Sequence, residues 1–243
     1  MNYSCISDIG LHRDKNQDSY CVIKNDFGDT LAIVCDGIGG GKAGEVASGE
    51  VVKFFINAFK KCGPFVSLDD ALKFLTDKVI ECNSNVYKLS TKYKDFFGMG
   101  TTLTGLLFTS FGILSINVGD SRVYGFIDNK IIKLTNDHTL INEMLQKGEI
   151  SYEQSLTHPK RHYLVKAIGV WESVEPDIHK VKDLDYYVIC SDGLYNYIQE
   201  EDLISLSVDK EKSCEEKCKA LVDKALLNGG YDNITIIVVD NNG

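Results

Sequence analysis

Between residues 101 and 132 the chain reads as β-strands in direct succession, at 102–109, 111–118 and 122–127, divided by Gly or polar turns. Connections that short return a strand beside the one before it, running the opposite way. Any fold open to this chain therefore contains antiparallel sheet. Further strands are expected at 5–10, 20–24, 31–35, 186–190 and 234–239. Helical patterns fall between these runs without alternating strictly with them. One covers about 45–61. The next opens on the capping signal Ser67-Leu68-Asp69-Asp70. It continues with Leu72, Leu75, Val79, Cys82, Val86 and Leu89 at three- and four-residue spacing, a stripe suited to packing on a sheet. A third, 213–227, is capped at its start and closed by Gly229-Gly230. This arrangement predicts a layered α+β fold with antiparallel sheets rather than a doubly wound parallel one.

The 243 residues, 44% hydrophobic and 25% charged, suit one domain with a substantial core, expected over residues 1–243. A net charge of −9 argues against a general nucleic-acid binder, which needs a basic surface. None of the eight cysteines forms a CxxC pair and several sit in apolar runs, so reduced, buried thiols are expected. No signal peptide or membrane-length apolar run is apparent, and a soluble cytoplasmic protein follows.

Aspartates mark where the apolar runs stop. Run 31–35 ends in Asp36-Gly37, run 186–190 leads through Ser191 to Asp192-Gly193, and Asp232-Asn233 introduces run 234–239. Asp120, in Gly119-Asp120-Ser121, interrupts a β run. Each alone reads as a common turn signal. Together they describe carboxylates that can converge on one rim of a sheet, where they stay ionised only if cations compensate them. Hard oxygen ligands without His or Cys select Mg²⁺ or Mn²⁺ over zinc. The polar cluster Arg13-Asp14-Lys15-Asn16-Gln17-Asp18 adds a guanidinium fork suited to phosphate oxygens.

The ordered set of motifs resembles the metal-dependent protein phosphatases, also called protein phosphatase 2C, in their bacterial single-domain branch. Its members here are Arg13 to Asp18, Val34-Cys35-Asp36-Gly37-Ile38-Gly39-Gly40, Gly98-Met99-Gly100-Thr101-Thr102, Val118-Gly119-Asp120-Ser121-Arg122, Asp137-His138, His158-Pro159, Ser191-Asp192-Gly193-Leu194 and Asp232-Asn233-Ile234-Thr235. The resemblance implies an αββα sandwich: two antiparallel sheets flanked by helix pairs. It implies hydrolysis of phosphoserine and phosphothreonine in proteins by a metal-activated water, without a phosphoenzyme.

The resemblance also implies roles. Asp36 would bridge two Mn²⁺ or Mg²⁺ ions and the Gly37 carbonyl would bind one of them. Asp192 and Asp232 would complete the second ion's ligands, and Asp120 with Asp192 would hold a third. Gln17 and Asp18 would orient water around the ions, and Arg13 would grip the substrate phosphate. Residues 138–166 would form a flap beside the site. Its His138, His158 and His162 are read as solvated or as local donors, and its Arg161 as a contact for a phosphopeptide. The implied partners are phosphorylated proteins, including a Ser/Thr kinase and its targets; a monomer without nucleic-acid or membrane partners is expected. One departure stands out: Ile38 replaces the usual bacterial Met, and Gly41 a His. No histidine follows Asp36 to protonate the leaving group. A silent phosphoprotein-binding relative and a two-metal phosphoesterase on small substrates are the competing readings.

Overall fold

The structure, a computed structural model, describes residues 1–40, 43–128 and 130–242; Gly41 lies outside them. The strands are β1 (Asn2–Asp8), β2 (Ser19–Lys24), β3 (Thr30–Cys35), β4 (Gly37–Ile38), β5 (Gly100–Thr101), β6 (Leu103–Thr109), β7 (Gly112–Val118), β8 (Arg122–Ile127), β9 (Lys130–Lys133), β10 (Asp177–Val181), β11 (Tyr186–Cys190) and β12 (Ile234–Asp240). The helices are α1 (Ala43–Lys60), α2 (Leu68–Lys92), α3 (Leu140–Gln146), α4 (Tyr152–Thr157), α5 (Asp192–Tyr195), α6 (Glu200–Ser207) and α7 (Cys214–Leu227). One five-stranded sheet runs β1-β12-β11-β8-β9 and the other β10-β7-β6-β3-β2. Their ladders are antiparallel throughout.

The central strands read as unbroken apolar runs because both of their faces are covered. In β3, Leu31, Ile33 and Cys35 join the core beneath α1 and α2, while Ala32 and Val34 point into the core between the sheets. In β12, Ile234, Ile236 and Val238 face the α7 layer, and Ile237 and Val239 face the other sheet. Three apolar layers result, giving the helix–sheet–sheet–helix order expected of an αββα sandwich.

Helix α2 begins where its sequence says, with the Ser67 side chain accepting from the Asp70 N–H. Its buried stripe is Ala71, Leu75, Val79, Cys82 and Val86. Leu72 does not belong to it and is exposed; Ala71 takes the core-facing place one residue earlier. Helix α7 carries a full capping box between Ser213 and Glu216. Its end is closed by backbone bonds from Gly229 and Gly230 to the Leu226 and Ala225 carbonyls.

The polar stretch 138–166 contains α3 and α4, and its ends are tied by backbone bonds from Leu140 to Tyr163 and from Val165 to His138. All eight cysteines are free, six of them buried, with Cys5 and Cys62 partly exposed. Among the described residues no helix is long and apolar enough to cross a membrane.

Candidate active site

The aspartates meet because strands from both sheets end on the same side of the sandwich. Asp36 follows β3, Asp120 lies in the β7–β8 turn, Asp192 opens α5 after β11, and Asp232 precedes β12. All four line one cleft of about 580 Å³, together with Arg13, Gln17, Gly37 and Ile38. Asp192-Gly193, legible in the sequence only as a turn, starts the one-turn helix α5.

Asp36 and Asp120 are held through their backbones. The Asp36 N–H donates to Thr102 Oγ1 at 2.8 Å, and the Asp36 carbonyl accepts from Thr102 N and Thr101 Oγ1, both at 2.8 Å. Thr102 Oγ1 is in turn 2.8 Å from Ser121 Oγ, linking the Asp36 and Asp120 turns. The Tyr195 hydroxyl donates to the Asp120 carbonyl at 3.0 Å, and the Tyr195 ring lies 3.5 Å beneath the Arg122 guanidinium. Arg122 also grips Asp137 through Nε and Nη2.

Asn233 pins one segment at three points. Its Nδ2 donates to the Ile9 and Lys15 carbonyls, and its Oδ1 accepts from the Gln17 N–H, each at 2.9 Å. It sets the 9–17 segment against Asp232. In the sequence Asn233 stands only as a member of the Asp232-Asn233-Ile234-Thr235 motif, with no role attached, and Tyr195 lies just beyond the Ser191-Asp192-Gly193-Leu194 motif with no local signal of this work.

Asp18 lies behind the cleft, with Oδ2 accepting from Ser191 Oγ at 2.7 Å. Its Oδ1 is buried without a hydrogen-bond partner. Arg13 is exposed and donates from Nη2 to Asp232 Oδ2 at 2.7 Å and from Nε to the Tyr231 carbonyl. Two residues assigned separate duties by the sequence are thus paired with each other. Arg161 is not in this cleft. It lines a neighbouring groove of about 440 Å³ beneath α3 and α4, which shares Asp120 and His162 with the cleft. His138 departs from the expectation of a solvated or donating loop histidine. It is buried, its Nδ1 accepts from the Gly119 N–H, and its Nε2 lies 3.0 Å from Asp177 Oδ2, off the direction of an aligned hydrogen bond.

Burial and mutual repulsion push the carboxyls upward. Asp18 rises to about 7, chiefly by burial, with the Asp192 and Asp232 charges adding to it. Asp120 rises to about 7 by burial and the Asp192 charge, and Asp192 to about 6 by burial and the Asp232 charge. Asp36 is raised well above its ordinary value by burial and then by Asp18, Asp192 and Asp120. Such a cluster takes up either protons or cations. Its donors are hard oxygens, which fit Mg²⁺ or Mn²⁺. Among the described residues no three Asp, Glu, His or Cys side chains close around one point. An ion here would take few carboxylates from the chain and keep several waters, the habit of Mg²⁺ at phosphate sites.

A pH dependence follows for metal-free protein. A carboxyl whose folded pKa exceeds its unfolded 3.8 binds protons in the folded state first, so acidification favours folding from about 7 down towards 4. His138 and His162, both shifted below 6.5 chiefly by desolvation, work the other way, as two groups against four. Chelator-treated protein should therefore melt about 5 °C higher at pH 6 than at pH 8 by calorimetry. A lower melting temperature at pH 6 would contradict this picture of the cluster.

Comparison with known proteins points the same way. The family model "Protein phosphatase 2C" matches residues 12–227. A serine/threonine phosphatase of Listeria welshimeri is 35% identical over 97% of this chain and 94% of its own length. The serine/threonine protein phosphatase PstP of Mycobacterium tuberculosis is 33% identical over 99% of this chain, which spans 45% of that longer protein. The crystal structure of serine/threonine phosphatase Stp1 from Staphylococcus aureus superposes with a TM-score of 0.92 at 32% identity, covering 99% of this chain and 95% of that one.

Proposed function

Since the chain belongs to the protein phosphatase 2C family and is a protein serine/threonine phosphatase, we propose that it works as a Mn²⁺- or Mg²⁺-dependent hydrolase at the Asp36 cluster. The observation that carries this is the convergence of Asp36, Asp120, Asp192 and Asp232 on one open cleft, the first three pushed upward and Asp18 pushed upward behind them. Divalent ions bound there would supply Lewis acidity and would bring the acidity of a water near neutrality, the chemistry that hydrolysis at phosphorus needs.

The chain's own residues do the rest. Asp36 and the Gly37 carbonyl would hold one ion, Asp36 with Asp192 and Asp232 a second, and Asp120 with Asp192 a third. Asp18, fixed by Ser191 and keeping one oxygen unpaired, accepts from water near the ions, and Gln17 orients water beside it. Arg13 presents its planar fork to the phosphoryl oxygens once Asp232 turns to a cation. Arg161 contacts the peptide from the neighbouring groove. Ile38 carries no proton, and His162, lowered by desolvation and by Arg161, is mostly neutral near pH 7. The leaving-group proton therefore comes from water.

In this reading residues 1–243 form one catalytic domain with a flap at 138–166. It acts as a cytoplasmic monomer on phosphorylated proteins, among them a Ser/Thr kinase and its targets. Purified protein should hydrolyse p-nitrophenyl phosphate and phosphothreonine peptides with Mn²⁺, lose that activity in EDTA, and regain it on adding Mn²⁺. Arg13→Ala should chiefly raise KM for phosphopeptides, by about tenfold. Turnover that survives complete removal of metal would overturn the proposal.

A further inference from the structure

The cleft is lined by two unlike surfaces. Beside the carboxylates lies an uncharged wall of Tyr163, Leu164, Ala167, Val170 and Trp171. Trp171 is the only tryptophan of the chain and is 41% exposed; Tyr163 is 61% exposed. The segment that carries Trp171 sends Ile168 and Val174 into the core beneath α2, and its backbone is anchored between them as well.

Asn83, buried in α2, donates from Nδ2 to the Trp171 carbonyl at 3.0 Å and the Glu172 carbonyl at 3.2 Å, and its Oδ1 accepts from the Gly169 N–H at 2.8 Å. Ser90, also buried in α2, donates to the Gly169 carbonyl at 3.2 Å. Ile168 exchanges two backbone hydrogen bonds with Thr101. Gly169 has φ +85°, and a Cβ there would meet Val86 Cγ1 at 2.4 Å, so the segment lies tight against the helix. Placing Asn and Ser on the apolar face of α2 is costly unless their hydrogen bonds are made. Here those bonds fix the backbone of a segment whose outer face is an exposed indole.

A rigid, exposed Trp beside a phosphate-sized cluster offers contact area with little ordering cost on binding. We propose that Trp171, with Val170 and Tyr163, forms a subsite for an apolar side chain flanking the phosphorylated residue. This rests on the phosphatase reading above and narrows its substrate class. Phosphoserine or phosphothreonine segments with Leu, Ile or Phe nearby are favoured over acidic segments, which meet an uncharged wall next to carboxylates.

The test uses the Mn²⁺-loaded protein and phosphothreonine peptides in which Leu replaces Ser at each flanking position in turn. Leu on one side of the phosphothreonine should lower KM about tenfold. That preference should shrink below about twofold in Trp171→Ala and largely persist in Trp171→Phe. Because Trp171 is the only tryptophan, its emission should shift to the blue as the Leu peptide binds. Wild-type protein with no flank preference, or a preference surviving Trp171→Ala, overturns the proposal. So does a dimer by sedimentation that Trp171→Ala dissociates, which assigns the wall to a second copy of the chain. Free phosphothreonine separates the two levels of the argument. If it is hydrolysed while flanking residues are ignored, the subsite alone fails; if it is not hydrolysed at all with Mn²⁺, the phosphatase reading fails with it.

Discussion

Asp36→Asn should lower kcat/KM towards a phosphothreonine peptide on the order of a thousandfold while leaving the fold intact. The two halves of this expectation have separate causes. The backbone of Asp36 is anchored by Thr101 and Thr102 through its own N–H and carbonyl, independently of the carboxyl group. Asn therefore keeps the same position. What disappears is the charge at the centre of the cluster, raised by burial and by Asp18, Asp192 and Asp120. Removing one of several crowded carboxylates relieves repulsion, so the metal-free variant should melt no lower than the parent. Activity within tenfold of the parent would remove Asp36 from the proposed bridging role. A melting temperature lowered by many degrees would mean that the carboxylate supports the fold as well.

Gly193→Ala should cost about 3 kcal/mol of stability, near 9 °C in melting temperature, and most of the activity. A Cβ at Gly193 would lie 2.0 Å from the Asn233 carbonyl oxygen, a backbone atom that no rotamer change can move. The contact presses the Asp192 turn against the Asp232 turn, and Asn233 carries the 9–17 segment besides. Relief by backbone movement would separate two of the four converging carboxylates. Gly63→Ala is the control: a Cβ there meets nothing within 4 Å, and the change should stay within about 0.5 kcal/mol. Equal melting temperatures for the two variants, measured by calorimetry in EDTA, would refute the close packing.

Much of this architecture was legible because two-sided burial leaves unbroken apolar runs. Strands β3, β11 and β12 stood out for that reason, and β6, β7 and β8 by the brevity of their connections. Elements at the margins were not legible. Strand β10 is an edge strand reading Asp-Ile-His-Lys-Val, with too few apolar residues to register. Helices α3 and α4 each bury a single residue, Ile141 and Ser155, so no apolar stripe marks them. Spacing alone places Leu72 on the buried face of α2, whereas the helix turns Ala71 inward.

The aspartates could be found at strand ends, but their convergence depends on how two sheets stack, which no local pattern encodes. The pairing of Arg13 with Asp232 and the removal of Arg161 to a neighbouring groove are likewise tertiary facts. Trp171 illustrates the limit most sharply. Its fixed position depends on Asn83, 88 residues earlier in the chain.

The proposed metal centre requires the Asp36 cluster to exchange protons for divalent cations. Titration of Mn²⁺ into chelator-treated protein near pH 6.5, by calorimetry in two buffers of different ionisation enthalpy, tests it directly. Burial holds Asp18 and Asp120 near 7, so both carry protons over part of the population at that pH. Binding of at least two ions per chain should release protons to the buffer, and the release should diminish towards pH 8. Saturation by a single ion, or binding without proton release at pH 6.5, would contradict the account.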